Sequence, residues 1–207
     1  MMTSIAQANQ ELGNASPLEI IEFALSQSNK PLTSTNFGPY EAVILHMVTQ
    51  VKPDMQIIWA DSGYNTRDTY LVAKQLIERL NLNIEVYTPK ITAARWDHAF
   101  GGIPDIDDER HDAFTHAFKL EPFTRAMAEQ QPDAWFTAVR SEQTEFRQNL
   151  EVFGEGPNGA LKVAPLLHWK EADMQAYLEK HDLPNVKKYF DPTKARDNRE
   201  CGLHTKL

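Results

Sequence analysis

Cysteine is nearly absent: the 207 residues hold one, Cys201. A single thiol excludes an intramolecular disulfide framework and points to a reducing compartment, taken here as the cytoplasm. Long apolar runs are missing too. None approaches the roughly 18 residues that a membrane span needs. The start, Met1 to Pro17, has neither the basic stretch nor the apolar core of a secretory signal, so no membrane association is expected. Positive charge is in the minority, with 21 Lys and Arg against 29 Asp and Glu. A surface of net charge −8 is a poor nonspecific ligand for a polyanion, and no nucleic acid is expected as a partner. Internal repeats and low-complexity stretches are absent. The length fits one domain, with or without an appendage.

What charge there is lies unevenly. Residues 187–207 hold six basic side chains (Lys187, Lys188, Lys194, Arg196, Arg199, Lys206) and three acidic ones (Asp191, Asp197, Glu200). That end carries +3, which leaves −11 on the other 186 residues. It is either a solvated tail or a cationic cover for an anionic ligand.

The apolar pattern gives the order of elements. Ser16-Pro17-Leu18-Glu19 reads as a helix start with a capping box, and the helix continues to about residue 28. An extended segment runs to Gly38, followed by a helix over 39–51. Residues 55–60, "MQIIWA", predict a buried strand, 66–80 a helix, and 83–88, "NIEVYT", the next strand. The region 91–130 reads as mainly helical around the acidic loop "PDIDDERHD". Further strands are predicted over 134–139 and 160–167, and a helix over 170–181. Alternating strands and helices predict a Rossmann-like α/β fold: an open, mainly parallel sheet with helices on both faces. Beyond residue 183 the chain turns polar and irregular. The expected organisation is a nucleotide-binding domain over 1–183 and a flexible C-terminal tail over 184–207.

In such a sheet, ligands bind beyond the carboxyl ends of the strands. Three predicted strand ends carry reactive side chains. The first is Thr33-Ser34-Thr35-Asn36-Phe37-Gly38, a strand-to-helix turn whose N–H groups and hydroxyls suit a phosphate or sulfate. No Gly-Lys-Ser/Thr follows it, and it lacks a Ser-Gly-Gly-x-Asp-Ser pattern, so neither of those phosphate loops is present. An ordinary capped helix start explains it equally well. The second is Asp61-Ser62-Gly63, either a plain turn or a site where Asp61 accepts hydrogen bonds from a nucleoside. The third holds Arg140, Gln143 and Arg147. Arginines seven apart return to one helix face and suit a multiply charged anion, unless they are spent on Glu142, Glu145 or Glu151.

Metal readings fail on spacing. His111 and His116 are not i, i+4; Cys201 with His204 supplies too few ligands; the acidic loop lacks the glycine and terminal glutamate of a calcium loop. No metal and no bound cofactor are expected. Cys201 itself lies in a polar stretch, beside Arg199, Glu200, Gly202 and His204. Cationic neighbours favour its thiolate and Glu200 opposes it, so it is either a reactive thiol or an incidental one in a frayed end.

Taken together, "TSTNFG", "DSGYNTRDTY", "KLEPFTRA" (119–126), "WFTAVRSEQTEFRQNL" (135–150), "LKVAPLLHW" (161–169) and "RECGLH" (199–204) resemble the phosphoadenylyl-sulfate (PAPS) reductase family in order and spacing. The resemblance implies an adenine-nucleotide α-hydrolase-like fold and thiol-dependent reduction of PAPS to sulfite through an S-sulfocysteine on Cys201. His204 would orient or activate the thiol, and Arg199, Lys119, Arg140 and Arg147 would supply positive charge. Ser34, Thr35, Asn36, Phe37, Gly38, Asp61, Ser62, Gly63 and Gln143 would complete the nucleotide site. With no second cysteine, the reductant is external, thioredoxin or glutaredoxin in the family, and a homodimer is the family's assembly. Relatives that take adenylyl sulfate carry cysteine pairs for a [4Fe–4S] cluster; their lack here favours PAPS. Other readings are a sulfur-transfer or nucleotide-activating relative and a non-catalytic nucleotide-binding module. Three features depart from the family pattern: a short segment between His181 and Arg199, Ser141 after Arg140, and "GYNTRDTY" after the second strand. Lys187, Lys188, Lys194 and Arg196 are substitute sources of charge for a 3′-phosphate.

Overall fold

The structure, a computed structural model, describes residues 4–194. Its sheet has six strands: β1 (Pro31–Thr35), β2 (Gln56–Ala60), β3 (Asn83–Tyr87), β4 (Ala134–Phe136), β5 (Phe153–Glu155) and β6 (Leu161–Val163). The order is β3-β2-β1-β4-β6-β5, and all neighbours run parallel except the final β6–β5 pair. The expected α/β architecture is therefore present, with one antiparallel edge.

The sheet is covered on both sides because successive strand residues point to opposite faces. Ile57 and Trp59 of β2, with Phe136 and Val163, face a large core. Among the described residues the α-helices are α1 (Ile5–Leu12), α2 (Pro17–Ser26), α3 (Glu41–Val51), α4 (Arg67–Leu80), α5 (Ala93–Phe100), α6 (His111–Thr115), α7 (Glu121–Gln130), α8 (Glu145–Gln148) and α9 (Glu171–Lys180); α2, α3, α4 and α9 close that side. Leu32, Ile58 and Trp135 point the other way, onto Phe123, Ala126 and Met127 of α7 (Glu121–Gln130). Each of these large side chains contributes about 1.5–3 kcal/mol by leaving water. A satellite cluster of Trp96, Phe114 and Phe118 lies under the region 91–120.

Local signals account for the helix starts. Ser16 and Glu19 form the predicted capping box. The Thr66 hydroxyl accepts the Thr69 N–H at the start of α4, and Asn81, left-handed at φ 47°, ends it. Helix α7 continues a π-helical turn, His116–Leu120, that follows a short helix, His111–Thr115. Two strands are shorter than predicted, 134–136 and 161–163: after a last bond from the Thr137 N–H to the Val163 carbonyl at 2.9 Å the first passes into an irregular segment, and the second runs through Ala164 into a turn.

Two features went unread in the sequence. Residues Ile5–Leu12 form a helix, and Phe153–Glu155 form the antiparallel edge. They belong together. The Asn9 side chain donates to the Phe153 carbonyl at 2.8 Å and accepts the Phe153 N–H at 2.9 Å, standing in for the strand that β5 lacks.

The described part of the tail, 184–194, lies on the body. Val186, Pro192 and Thr193 are buried. The side-chain oxygen of Asn185 accepts the Tyr40 N–H at 2.8 Å. The Asp68 carboxylate accepts the N–H groups of Lys187 and Lys188 at 2.7 and 3.0 Å, and the Thr66 hydroxyl donates to the Lys188 carbonyl at 2.6 Å. This strap spans the mouth of the sheet beside the start of α3.

Candidate active site

Strand order reverses between β1 and β4. Strands β2 and β3 follow on one side and β6 and β5 on the other, so the loops leaving β1 and β4 diverge and open a crevice. A cavity of about 330 Å³ lies there. It is walled by the β1 turn, by residues 137–140 after β4, by the π-helical turn and by the strap. Its size is at the lower end of the range for small-molecule sites.

The β1 turn owes its shape to short-range hydrogen bonds. The Thr35 hydroxyl accepts the Phe37 N–H at 3.0 Å and the Asn36 side chain accepts the Gly38 N–H at 2.8 Å. Phe37 (φ 49°) and Tyr40 (φ 67°) are left-handed, a strained arrangement that turns the chain sharply into α3. The side chain of Tyr40, the N-cap residue, makes no capping bond to the first turn of α3. Its amide dipoles face the cavity end of the fold, where an anion is favoured. Gly38 permits close packing: a Cβ there would sit 2.8 Å from Asn36 Oδ1 and 3.3 Å from the Tyr189 ring. The Ser34 hydroxyl accepts the Trp135 indole N–H at 2.8 Å, which leaves its own proton for a ligand.

Arg140 and Arg147 reach the same cavity but not along one helix, as their spacing had predicted. A 3₁₀ turn over Ser141–Gln143 is followed by Thr144 in extended conformation (φ −154°, ψ 157°), and a second helical start, Glu145–Gln148, carries Arg147. Gln143 links the two: its side-chain oxygen accepts from the Arg140 N–H at 3.0 Å and from the Arg147 guanidinium. Both arginines are 7% exposed. Arg140 also pairs with Glu142 and lies 5.4 Å from the centre of the Tyr40 ring. The Tyr40 hydroxyl donates to Glu171 at 2.6 Å, and that bond is the main reason its acidity falls below that of an ordinary phenol.

Lys119 enters from the π-helical turn. Such turns re-aim single side chains and recur at functional sites. Its ammonium meets Asp191 of the strap at 2.5 Å. Burial acts to raise the Asp191 carboxyl, but the charge and hydrogen bond of Lys119 and the bonds from Thr193 prevail, so it is held below the usual carboxylate range. Glu41, at the first position of α3, behaves oppositely. Burial pushes it up to about 7, although the Thr35 hydrogen bond and the charge of Arg147 both act against that.

Among the described residues, four cationic side chains line the cavity (Lys119, Arg140, Arg147, Lys194) against two carboxylates, Glu41 and Asp191. The balance favours an anionic ligand, and the buried side chains of Ile58 and Phe123 form an apolar part of the lining. Of the residues assigned to nucleotide from the sequence, Ser34, Thr35, Asn36, Gly38, Lys119, Arg140, Gln143 and Arg147 meet here. Phe37 does not: it is fully buried in the core, 4.9 Å from Trp59. Asp61, Ser62 and Gly63 lie at the end of β2, outside the lining. Asp61 is committed to local bonds from Gly63, Asn65 and the Tyr70 hydroxyl. Arg199, Cys201 and His204 fall outside the described residues. Glu41, Tyr40, Tyr189 and Asp191 were not singled out in the sequence. Asp191-Pro-Thr is a recognisable turn signature, but nothing local ties it to a lysine 72 residues away.

Residues 30–192 match the family model of the phosphoadenosine phosphosulfate reductase domain. The chain belongs to that family. Curated relatives named phosphoadenosine 5′-phosphosulfate reductase agree. The one from Synechococcus sp. is 36% identical, with 99% of this chain and 98% of the relative covered. The one from Synechocystis sp. is 35% identical, covering 95% and 89%. Among solved structures, a phosphate complex of the PAPS reductase of Candida auris superposes with a TM-score of 0.79 over 92% of this chain and 97% of the other, at 24% identity. The U34-tRNA thiolase NcsA of Methanococcus maripaludis shares the fold more distantly, at TM-score 0.58 and 11% identity over 91% of this chain and 67% of the other. As a PAPS reductase family member, the chain presents its β1 turn, its two arginines and Lys119 to one cavity, while the strap forms one of the walls.

Proposed function

We propose that the chain reduces 3′-phosphoadenylyl sulfate to sulfite and adenosine 3′,5′-bisphosphate, with a dithiol protein of the thioredoxin or glutaredoxin type as reductant. The observation that carries this reading is the meeting, in one cavity at the switch point of the sheet, of Lys119, Arg140 and Arg147 with Lys194. Lys194 precedes the cysteine by seven residues. Seven residues of chain span at most about 25 Å, so Cys201 is tethered within reach of the cavity.

In this reading the adenine lies against Ile58 and Phe123, and the phosphate and sulfuryl oxygens meet the β1 turn and the cations. The Cys201 thiolate attacks the sulfur. A sulfur–sulfur bond forms, the sulfur–oxygen bond breaks, and its electron pair leaves on the phosphate oxygen of the bisphosphate. That leaving group is a stable anion, so fixed positive charge helps it more than a proton does. Arg140, Arg147 and Lys119 supply that charge, joined by Arg199, and His204 orients the thiol. The enzyme is left as an S-sulfocysteine. A thiolate of the reductant attacks the Cys201 sulfur and expels sulfite with the bonding pair, giving a mixed disulfide. The reductant's second thiol then releases Cys201 as thiolate and closes its own disulfide. Two electrons pass from the dithiol to the transferred sulfur. The lone thiol and the external reductant suit a reducing compartment, the cytoplasm.

Lys194 lines the cavity beside Arg140 and Arg147, whereas the backbone of Lys187 and Lys188 is bound to Asp68 on the α4 side. Among the described basic residues of the shortened segment, Lys194 is the one this reading assigns to the 3′-phosphate.

The test is mass spectrometry of the reduced chain mixed with PAPS. A sulfonate adduct on the Cys201 peptide, removed by reduced thioredoxin, is expected. No adduct with either PAPS or adenylyl sulfate would sink the reading.

A further inference from the structure

The pairing of Lys119 with Asp191 runs against what an anion site needs. A cavity that attracts phosphate gains from every free cation, yet one of its lysines faces a carboxylate at 2.5 Å, with the two side chains 14% and 8% exposed. A close pair of opposite charges has little field at a distance, so part of the site's attraction for a ligand is cancelled.

The carboxylate has a second set of bonds. Its Oδ1 accepts the Thr193 N–H at 3.0 Å and the Thr193 hydroxyl at 2.7 Å, while Oδ2 takes Lys119. The Lys194 N–H returns to the Asp191 carbonyl at 3.1 Å, closing a turn whose Thr193 is 2% exposed. Upstream, the strap is held independently: Asn185 at Tyr40, Lys187 and Lys188 at Asp68, Tyr189 against Gly38. Those ties fix residues 185–189. Beyond them, Asp191 joins the last described turn to the body, and Cys201 lies ten residues after it.

We infer that Asp191 is a positioning residue of the reaction. By holding Lys119 it moors the end of the strap over the cavity and sets where the cysteine-bearing segment departs, and it does so at the expense of affinity for the anionic nucleotide. This rests on the reductase reading above. In that reading the thiol must come close to the sulfuryl group for the first step, and a mooring at Asp191, ten residues before Cys201, keeps the departure point of the chain beside the cavity.

The test compares the full chain with Asp191→Asn, which keeps the shape and removes the charge. Calorimetry with adenosine 3′,5′-bisphosphate should show binding tightened about 3–10-fold, with a steeper fall on adding salt. Single-turnover sulfonation of Cys201 by PAPS should slow about 10-fold or more. Opposite movements of affinity and rate are the signature, since a merely structural loss weakens both. Asp191→Glu restores the charge on a longer arm. It should return the affinity to that of the natural chain and recover only part of the rate, and it carries the test if the asparagine variant does not fold. Asp191→Asn with unchanged sulfonation, or with affinity and rate falling together, would overturn the positioning role while the natural chain still forms its adduct. No adduct in the natural chain would remove the reductase reading, and the positioning role with it.

Discussion

The Thr35 hydroxyl donates to the Glu41 carboxylate at 3.2 Å, at the point where β1 hands over to α3. The pair sets the electrostatics of the turn. Burial raises the Glu41 carboxyl from its ordinary 4.5 to about 7, against the opposing effects of Thr35 and Arg147. The folded chain thus holds this proton more tightly than the unfolded chain. The stability Glu41 contributes is complete below about pH 4.5 and is lost as pH rises through 7. Glu41→Gln should therefore change stability at pH 5 by no more than about 1 kcal/mol and raise stability at pH 8 by up to about 3 kcal/mol. It should also tighten adenosine 3′,5′-bisphosphate at pH 8, because a carboxylate leaves the cavity wall. Thermal melts at both pH values check the first effect and calorimetry the second. Equal stabilisation at pH 5 and pH 8 would contradict it.

Arg147 is the better single probe of the anion site, because it is buried in the wall and oriented by Gln143. Arg147→Ala should weaken adenosine 3′,5′-bisphosphate by about 1–3 kcal/mol, the scale of a hydrogen bond to a charged group. Calorimetry at fixed salt measures it. Unchanged affinity would place the nucleotide elsewhere.

Gly38 tests the strap. An added Cβ would meet Asn36 Oδ1 at 2.8 Å and the Tyr189 ring at 3.3 Å. Gly38→Ala should cost about 1–3 kcal/mol, as overpacking does. It should also raise amide exchange at Lys187 and Lys188, whose N–H groups the docked strap brings to Asp68. Denaturant unfolding with exchange read by mass spectrometry checks both. Faster exchange spread evenly over the domain would show that Gly38 serves the body and not the strap.

Much of this was legible locally. A five-residue run such as Gln56–Ala60 is a strand because β-branched and aromatic side chains suit a surface buried on both faces. The capping box at Ser16 is written in four residues. The β1 turn was marked by Thr35, Asn36 and Gly38, whose side-chain bonds and small size act over two or three residues. Helix Ile5–Leu12 is not legible locally because Asn9 meets its partner, Phe153 of the edge strand, 144 residues away, and β5 because three residues carry no period to read. Phe37 looked like part of a binding loop, and only packing against Trp59 shows that it serves the core.

By itself the sequence determined the alternation of strands and helices, the lone thiol and the order of motifs that marks the family, because hydrophobic period, turn chemistry and covalent order are properties of neighbours along the chain. Tertiary structure alone decided that Asp61 stands outside the cavity, that Arg140 and Arg147 converge across a broken turn, and that Asp191 meets Lys119. These are matters of distance between segments far apart in sequence. The reversal of strand order between β1 and β4 fixes them, and no local pattern encodes that reversal.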